Sequence, residues 1–222
     1  LAVETFDKAI TLDPQLADIH ANKGNALRSM GRSTEGISCF RNALSIDPTN
    51  IATHSNLIFT MGYAGDVAIS EIRQEAERWD RQHGYRGEIQ PHTNTLNPER
   101  QLRIGFVSGD LNDHPVSQFL CNILPELDAK KLELFAYSNS YKNDPITQRL
   151  KSSFAHWRDV PAFDDDQLAD KIRADSIDIL VDLSGHTSDN RLQMFTQQPA
   201  PVQVTWLGYG GTTGLKAMDY VL

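Results

Sequence analysis

Cysteine is scarce in this chain of 222 residues: there are two, Cys39 and Cys121, far apart in sequence. That supply excludes a disulfide scaffold, and both are expected as packed thiols on helices rather than metal ligands or nucleophiles. No apolar run approaches the ~18 residues that a membrane-crossing helix requires. No signal-peptide pattern is present, so a cytoplasmic protein is expected. Basic residues do not predominate: 21 Lys and Arg face 29 Asp and Glu, for a formal net charge of −8. A nucleic-acid partner is thereby excluded, as is a membrane one by the missing span. Walker A is absent, and no G-x-G-x-x-G opens a helix. The one acidic triplet, Asp164-Asp165-Asp166, precedes Gln167-Leu168 and reads as the first turn of a helix, not a metal cluster. An initiator Met is also missing. Leu1 opens inside a helical pattern and Met218 to Leu222 looks like a strand beginning, so both ends are expected to be cuts within a longer protein.

What is present begins with repetition. Phe6, Ala9, Leu12, Asp13 and Pro14 recur 34 residues later as Phe40, Ala43, Ile46, Asp47 and Pro48. With Gly24, Leu27, Gly31 and Gly36 between them, this is the spacing of a tetratricopeptide repeat. Small residues let two helices touch, while Leu27, Phe40 and Ala43 fill the seam and Pro48 stops the second helix. Residues 1–83 therefore read as the second helix of one repeat (1–12), a whole repeat (17–50) and a degenerate pair (51–62 and 66–83) in which Ile58 stands at the small-residue position. His54 and His83 are expected to be packed or surface histidines. Glu71, Arg73, Glu75, Glu77 and Arg78 read as a solvated helix face. Residues 84–100, punctuated by Gly84, Gly87, Pro91, Asn94, Asn97 and Pro98, read as an ordered crossing or linker.

Residues 101–222 alternate strand and helix patterns. Strands are expected at 102–107, 132–138, 155–159, 177–182, 202–207 and 218–222, and helices at 116–127, 145–153, 165–175 and 189–197. Near-continuous apolar strands such as Ile177 to Val181 suit a parallel sheet covered on both faces. The fold class is thus helical repeats followed by an α/β domain with a parallel sheet.

The stretch Leu102 to Gln118 organises that domain: a buried strand, then a loop holding Asp110, Asp113 and His114, then Pro115 and a helix. Two further loops leave strand ends with polar residues, Ser184 to Ser188 with His186, and Gly208 to Thr213. Open α/β sheets gather such loops at one rim, where ligands bind. Singly, His114 suits a helix cap, His186 a surface loop and His156 a core strand. Two histidines and a Gly/Thr loop on one rim point instead to a polar ligand site.

The order of three motifs behind the repeats, LRIGFVSGDLNDHPVSQFL, IDILVDLSGHTSDNRL and QQPAPVQVTWLGYGGTTGLKAMDYV, resembles the O-linked N-acetylglucosamine transferase family. The resemblance covers the whole chain. It implies a GT-B glycosyltransferase, of which this chain holds the end of the repeats and the first Rossmann-like half-domain. It implies inverting, metal-independent transfer of GlcNAc from UDP-GlcNAc to Ser/Thr hydroxyls, with no cofactor and with protein or peptide acceptors reaching the repeat groove and the cleft. His114 matches a histidine at the catalytic centre, a one-time candidate for general base. Leu207, Gly208, Gly210, Gly211 and Thr212 match the backbone lining donor sugar and diphosphate, and His156 matches a histidine near the site. Asp110 and His186 are further candidate substrate contacts. Animal members carry GYPGT where this chain has Gly208-Tyr209-Gly210-Gly211-Thr212, and Tyr where His186 stands. The alternatives are a protein O-fucosyltransferase of the SPINDLY kind and a non-catalytic peptide-binding scaffold. The fragment alone is expected to be inactive.

Overall fold

A computed structural model describes residues 2–222, in two units divided between His83 and Gly84. The first is helical: α1 (Ala2–Leu12), α2 (Ala17–Ser29), α3 (Ser33–Ile46), α4 (Ile51–Tyr63) and α5 (Ile69–His83). The first residue of the expected 1–12 helix lies outside the described residues. The repeat glycines do what their spacing implies. A Cβ at Gly24 would lie 2.8 Å from the Phe40 ring, and one at Gly36 would lie 3.1 Å from the Gly24 carbonyl oxygen. Leu27, Phe40, Ala43, Leu57, Ile58 and Met61 are buried in the resulting seams. α3 ends one residue before Asp47-Pro48, and Asn50 caps α4 by accepting from the Thr53 N–H at 2.9 Å.

One reading of α5 needs correction. Arg73 and Glu77 do form an exposed i,i+4 pair at 2.8 Å, but Glu75 turns inward. Glu75, Trp79 and His83 share one face at four-residue spacing, and the buried Trp79 and His83 carry the carboxylate in with them. The carboxylate only accepts, so the His54 Nε2–H donates to Glu75 Oε1 at 2.9 Å. His54 Nδ1 is then a bare acceptor for the His83 Nε2–H, also at 2.9 Å.

The second unit is a six-stranded sheet flanked by helices. Its elements are β1 (Leu102–Ser108), α6 (Pro115–Ile123), β2 (Leu132–Ser138), α7 (Pro145–Lys151), β3 (His156–Asp159), α8 (Asp165–Ala174), β4 (Ile179–Asp182), α9 (Leu192–Phe195), β5 (Val202–Thr205) and β6 (Tyr220–Val221). Every pairing is parallel and the strand order is β3-β2-β1-β4-β5-β6. That is the doubly wound Rossmann arrangement, with its switch point between β1 and β4. The pleat separates the two cores. Ile104, Phe106, Leu134 and Ala136 face Val116, Leu120 and Leu150 of α6 and α7, while Tyr137 turns to the other face, where its hydroxyl donates to Asp175 after α8.

Several elements are shorter than their patterns. The expected 116–127 helix stops at Ile123 and passes into a 3-10 turn at Leu124–Glu126. Pro125 has no N–H for the Cys121 carbonyl, which accepts instead from Arg149 at 3.3 Å. The expected 189–197 helix is one turn. Residues 84–100 form neither helix nor strand, yet they are tied down: Asn94 donates to Ser176, Ile177 and Asp178, and Arg100 grips both Asp178 oxygens at 2.6 Å. Among the described residues no helix is long and apolar enough to cross a membrane.

Candidate functional site

The rim lies beyond the carboxyl ends of the strands. After β1, Leu111 is fully buried and anchors a loop that is closed on itself. The Ser108 hydroxyl accepts from the Asp110 N–H at 2.9 Å, Asn112 donates to the Gly109 carbonyl at 2.9 Å, and Ser117 donates to the Asp110 carbonyl at 2.6 Å. The Asp113 N–H is held by Asp144 at 2.7 Å. This frame presents Asp110 and His114 at the switch point.

His114 is the N-cap of α6, with Pro115 at the first helical position. Its Nδ1 accepts the Val116 N–H at 3.3 Å, which makes the neutral ring the Nε2–H tautomer. Asp110 Oδ2 stands 3.7 Å from the same Nδ1, and the histidine side chain remains 41% exposed. Burial pushes the Asp110 carboxyl above the usual range; the charges of His114 and Lys142 pull it back, and Asp189 adds to the rise.

The loop after β4 is built on Asp182. This carboxylate is buried and takes the Ser184 N–H at 3.0 Å, the Gly185 N–H at 2.9 Å and the Thr205 hydroxyl at 2.8 Å. Burial raises its pKa against the pull of those donors. The Gly185 N–H is thereby spent on Asp182. His186 is only 1% exposed, enclosed within the rim.

The loop after β5 is strained and closely fitted. Leu207 has φ of +70° and the Gly208 N–H closes back on the Trp206 carbonyl at 2.8 Å, the geometry of a rare γ-turn. A Cβ on Gly208 would collide with the Leu183 carbonyl oxygen, and one on Gly185 would collide with Tyr209. Gly210 faces open space, and among the described residues Gly210 and Gly211 give their N–H groups to no protein acceptor. Thr212 accepts the Gly214 N–H at 3.1 Å.

His156 lies apart from this rim. It opens β3 opposite Phe135, on whose ring it stacks, and its Nε2 bonds Glu133 near the start of β2 at 2.9 Å. Asp164 caps α8 with Gln167 in a reciprocal capping box, Asp165 pairs with Arg191 at 2.9 Å and Asp166 accepts from Gln197 at 2.7 Å. Among the described residues no group of three or more His, Cys, Asp or Glu is arranged to hold a metal.

Arg191 was not legible as part of the site. Its guanidinium donates to Asp165, to the Asn139 side chain at 2.9 Å and to the Val160 and Phe163 carbonyls. Asn139 in turn donates through its side chain to the Asp189 carbonyl and through its N–H to the Ser108 carbonyl. Arg191 thereby ties the segments after β2, β3 and β4, and Asn139 extends the tie to the end of β1.

With this geometry in hand, comparison is decisive. The model of glycosyl transferase family 41 matches residues 82–222, and that of the tetratricopeptide repeat matches 17–50. The chain belongs to glycosyl transferase family 41. Among family members, a probable UDP-N-acetylglucosamine–peptide N-acetylglucosaminyltransferase SPINDLY of Petunia hybrida is 35% identical over 186 residues, 80% of this chain and 20% of its own length. The UDP-N-acetylglucosamine–peptide N-acetylglucosaminyltransferase of Caenorhabditis elegans is 28% identical over 202 residues, 88% of this chain and 17% of its own. A solved structure of the Thermobaculum terrenum O-GlcNAc transferase mutant K341M superposes with a TM-score of 0.92 at 39% identity, covering 99% of this chain and 42% of that one. The chain therefore spans about a fifth of the length of the curated family 41 relatives it matches.

Proposed function

We propose that this chain supplies the end of the repeat array and the first Rossmann-like half of a GT-B protein O-GlcNAc transferase. It would move GlcNAc from UDP-GlcNAc to a Ser or Thr hydroxyl with inversion, the acceptor approaching as a protein or peptide. The observation that carries this reading is the pairing of Asp110 and His114 at the β1/β4 switch point, on the same rim as a glycine loop whose Gly210 and Gly211 amides have no acceptor among the described residues. Backbone N–H groups suit a leaving diphosphate, since they are fixed dipoles that need no reorganisation as charge develops. Transfer without a metal is supported by the acidic triplet, whose three carboxylates are already engaged in capping or pairing.

His114 has two chemical settings. While Nδ1 caps α6, Nε2 bears the proton and the ring donates, which suits holding a sugar or phosphate oxygen. Accepting a proton at Nε2 requires the proton on Nδ1, and Asp110 is the acceptor placed to receive that N–H. The resting geometry favours the donor setting; general-base work would trade the Val116 bond for Asp110. Asp110 acts through this histidine, and Leu207, Gly208, Gly210, Gly211 and Thr212 shape the donor loop.

The test uses the full-length protein with labelled UDP-GlcNAc and, separately, labelled GDP-fucose over a panel of acceptor proteins. Label transferred from UDP-GlcNAc supports the proposal. Label from GDP-fucose alone would replace it with fucosyl transfer, and label from neither would leave a peptide-binding scaffold.

A further inference from the structure

The buried histidine of the β4 loop has a partner that gives it a role distinct from contact with substrate. Its Nε2 lies 2.9 Å from the Thr213 carbonyl oxygen, which can only accept, so Nε2 carries a hydrogen. The ring meets Tyr209 edge-on, centroids 5.8 Å apart at 89°. Around it the two loops interlock: Gly208 sits against the Leu183 carbonyl and Tyr209 against Gly185. Trp206 donates across to the Asp182 carbonyl, whereas the backbone bonds of Gly208, Gly214 and Leu215 are local. Gly208 returns to Trp206, Gly214 to Thr212 and Leu215 to Thr213. Gly210 and Gly211, which lack side chains and have the most backbone freedom to lose, lie between Tyr209 and Thr213.

We propose that His186 is a positioning residue for the donor loop: it grips both ends of the Tyr209–Thr213 span, Tyr209 by its ring and Thr213 by its Nε2–H, and so holds the two glycine amides in place. This rests on the reading of that loop as the donor-diphosphate backbone. The clamp itself is a property of the folded rim and is measurable without any sugar.

Three substitutions in the full-length protein, two of them also combined, separate the effects. His186→Phe keeps the ring against Tyr209 and deletes the donor; His186→Gln restores a donor at the corresponding reach. Gly210→Ala adds a Cβ where space is open and φ is not positive, stiffening the span by chain entropy alone. Hydrogen exchange of the 209–213 amides should speed up by about tenfold or more in His186→Phe and stay near wild type in His186→Gln. The KM for UDP-GlcNAc should rise about tenfold in His186→Phe, with a smaller change in kcat, and fall back in the His186→Phe/Gly210→Ala double variant. A generic packing loss would not be rescued by Gly210→Ala. In the wild-type protein, a nitrogen-15 histidine spectrum should show a protected Nε2–H on His186, an observation that needs no variant to fold. An Nδ1–H tautomer, or unchanged loop exchange in a folded His186→Phe, overturns the clamp. Loop loosening in a protein that never uses UDP-GlcNAc would leave the clamp standing and sink the proposed reaction instead.

Discussion

Gly208 is seated directly on the carbonyl of Leu183, so close that a Cβ has no place to go. The neighbour is backbone rather than a flexible side chain, and Leu207 beside it already holds a left-handed φ. Gly208→Ala must therefore push the β4 and β5 loops apart. A loss of about 2–3 kcal/mol is expected, the upper range for overpacking. Gly210→Ala, facing open space, should be near neutral in stability. Urea unfolding of the two variants makes the comparison.

His114 serves two purposes that substitution can separate. Asparagine is a good N-cap, so His114→Asn should unfold within about 0.5 kcal/mol of wild type, whereas His114→Ala should lose about 1 kcal/mol. Both lack the imidazole, and both should lower kcat of the full-length enzyme about 10²-fold. Near wild-type transfer by His114→Asn would restrict this residue to capping. Thermal melts and single-turnover rates on the same preparations settle it.

Arg191 has four acceptors and little exposure. Removing it leaves Asp165, already raised in pKa by burial, without its cation. Arg191→Ala should cost about 3 kcal/mol, in line with breaking a buried ion pair. Arg191→Lys keeps the charge but not the fork and should recover only part of the loss. Denaturant midpoints read this directly.

The helical unit should weaken in mild acid. Burial above all, with the Arg78 charge, lowers the His83 pKa to about 4, below the unfolded value of about 6.5. Between those values the unfolded chain binds a proton that the folded chain refuses, so stability drops as pH falls through that window and is level above it. Glu75 acts with the same sign at lower pH. Its burial favours the neutral form, but the His54 bond and the Arg78 charge prevail and hold its pKa below the usual value. His83→Gln keeps an amide donor but does not titrate, and should flatten the decline from about pH 6.5 to 4 in urea midpoints.

His114, Arg191, His186 and Glu75 show where a sequence can be read and where it cannot. Repeat glycines, the proline stops and the apolar strands announce themselves within a few residues, because helix contact, missing N–H groups and pleat burial are local constraints. His114 was legible for a similar reason: strand, small-residue turn, Pro115 and helix form one continuous pattern. Arg191 was not, since its acceptors lie 26 to 52 residues away and nothing beside it announces them. His186 was visible as a histidine on a rim loop, but its burial depends on Tyr209 and Thr213 arriving from the next strand. Glu75 reads as solvated among its charged neighbours, while its four-residue spacing to the buried Trp79 and His83 turns it inward.

The Glu75–His54–His83 chain has a consequence for how this array chooses its neighbours. Apolar seams between repeat helices tolerate sliding and exchange, because one leucine substitutes well for another. A directional relay of two protons does not. Moving α5 by one turn along α4 would strand a half-buried carboxylate and two imidazoles, each without its present donor or acceptor. The final pair thus carries an address: α4 admits one mate, in one alignment, and an otherwise interchangeable stack acquires a defined last position.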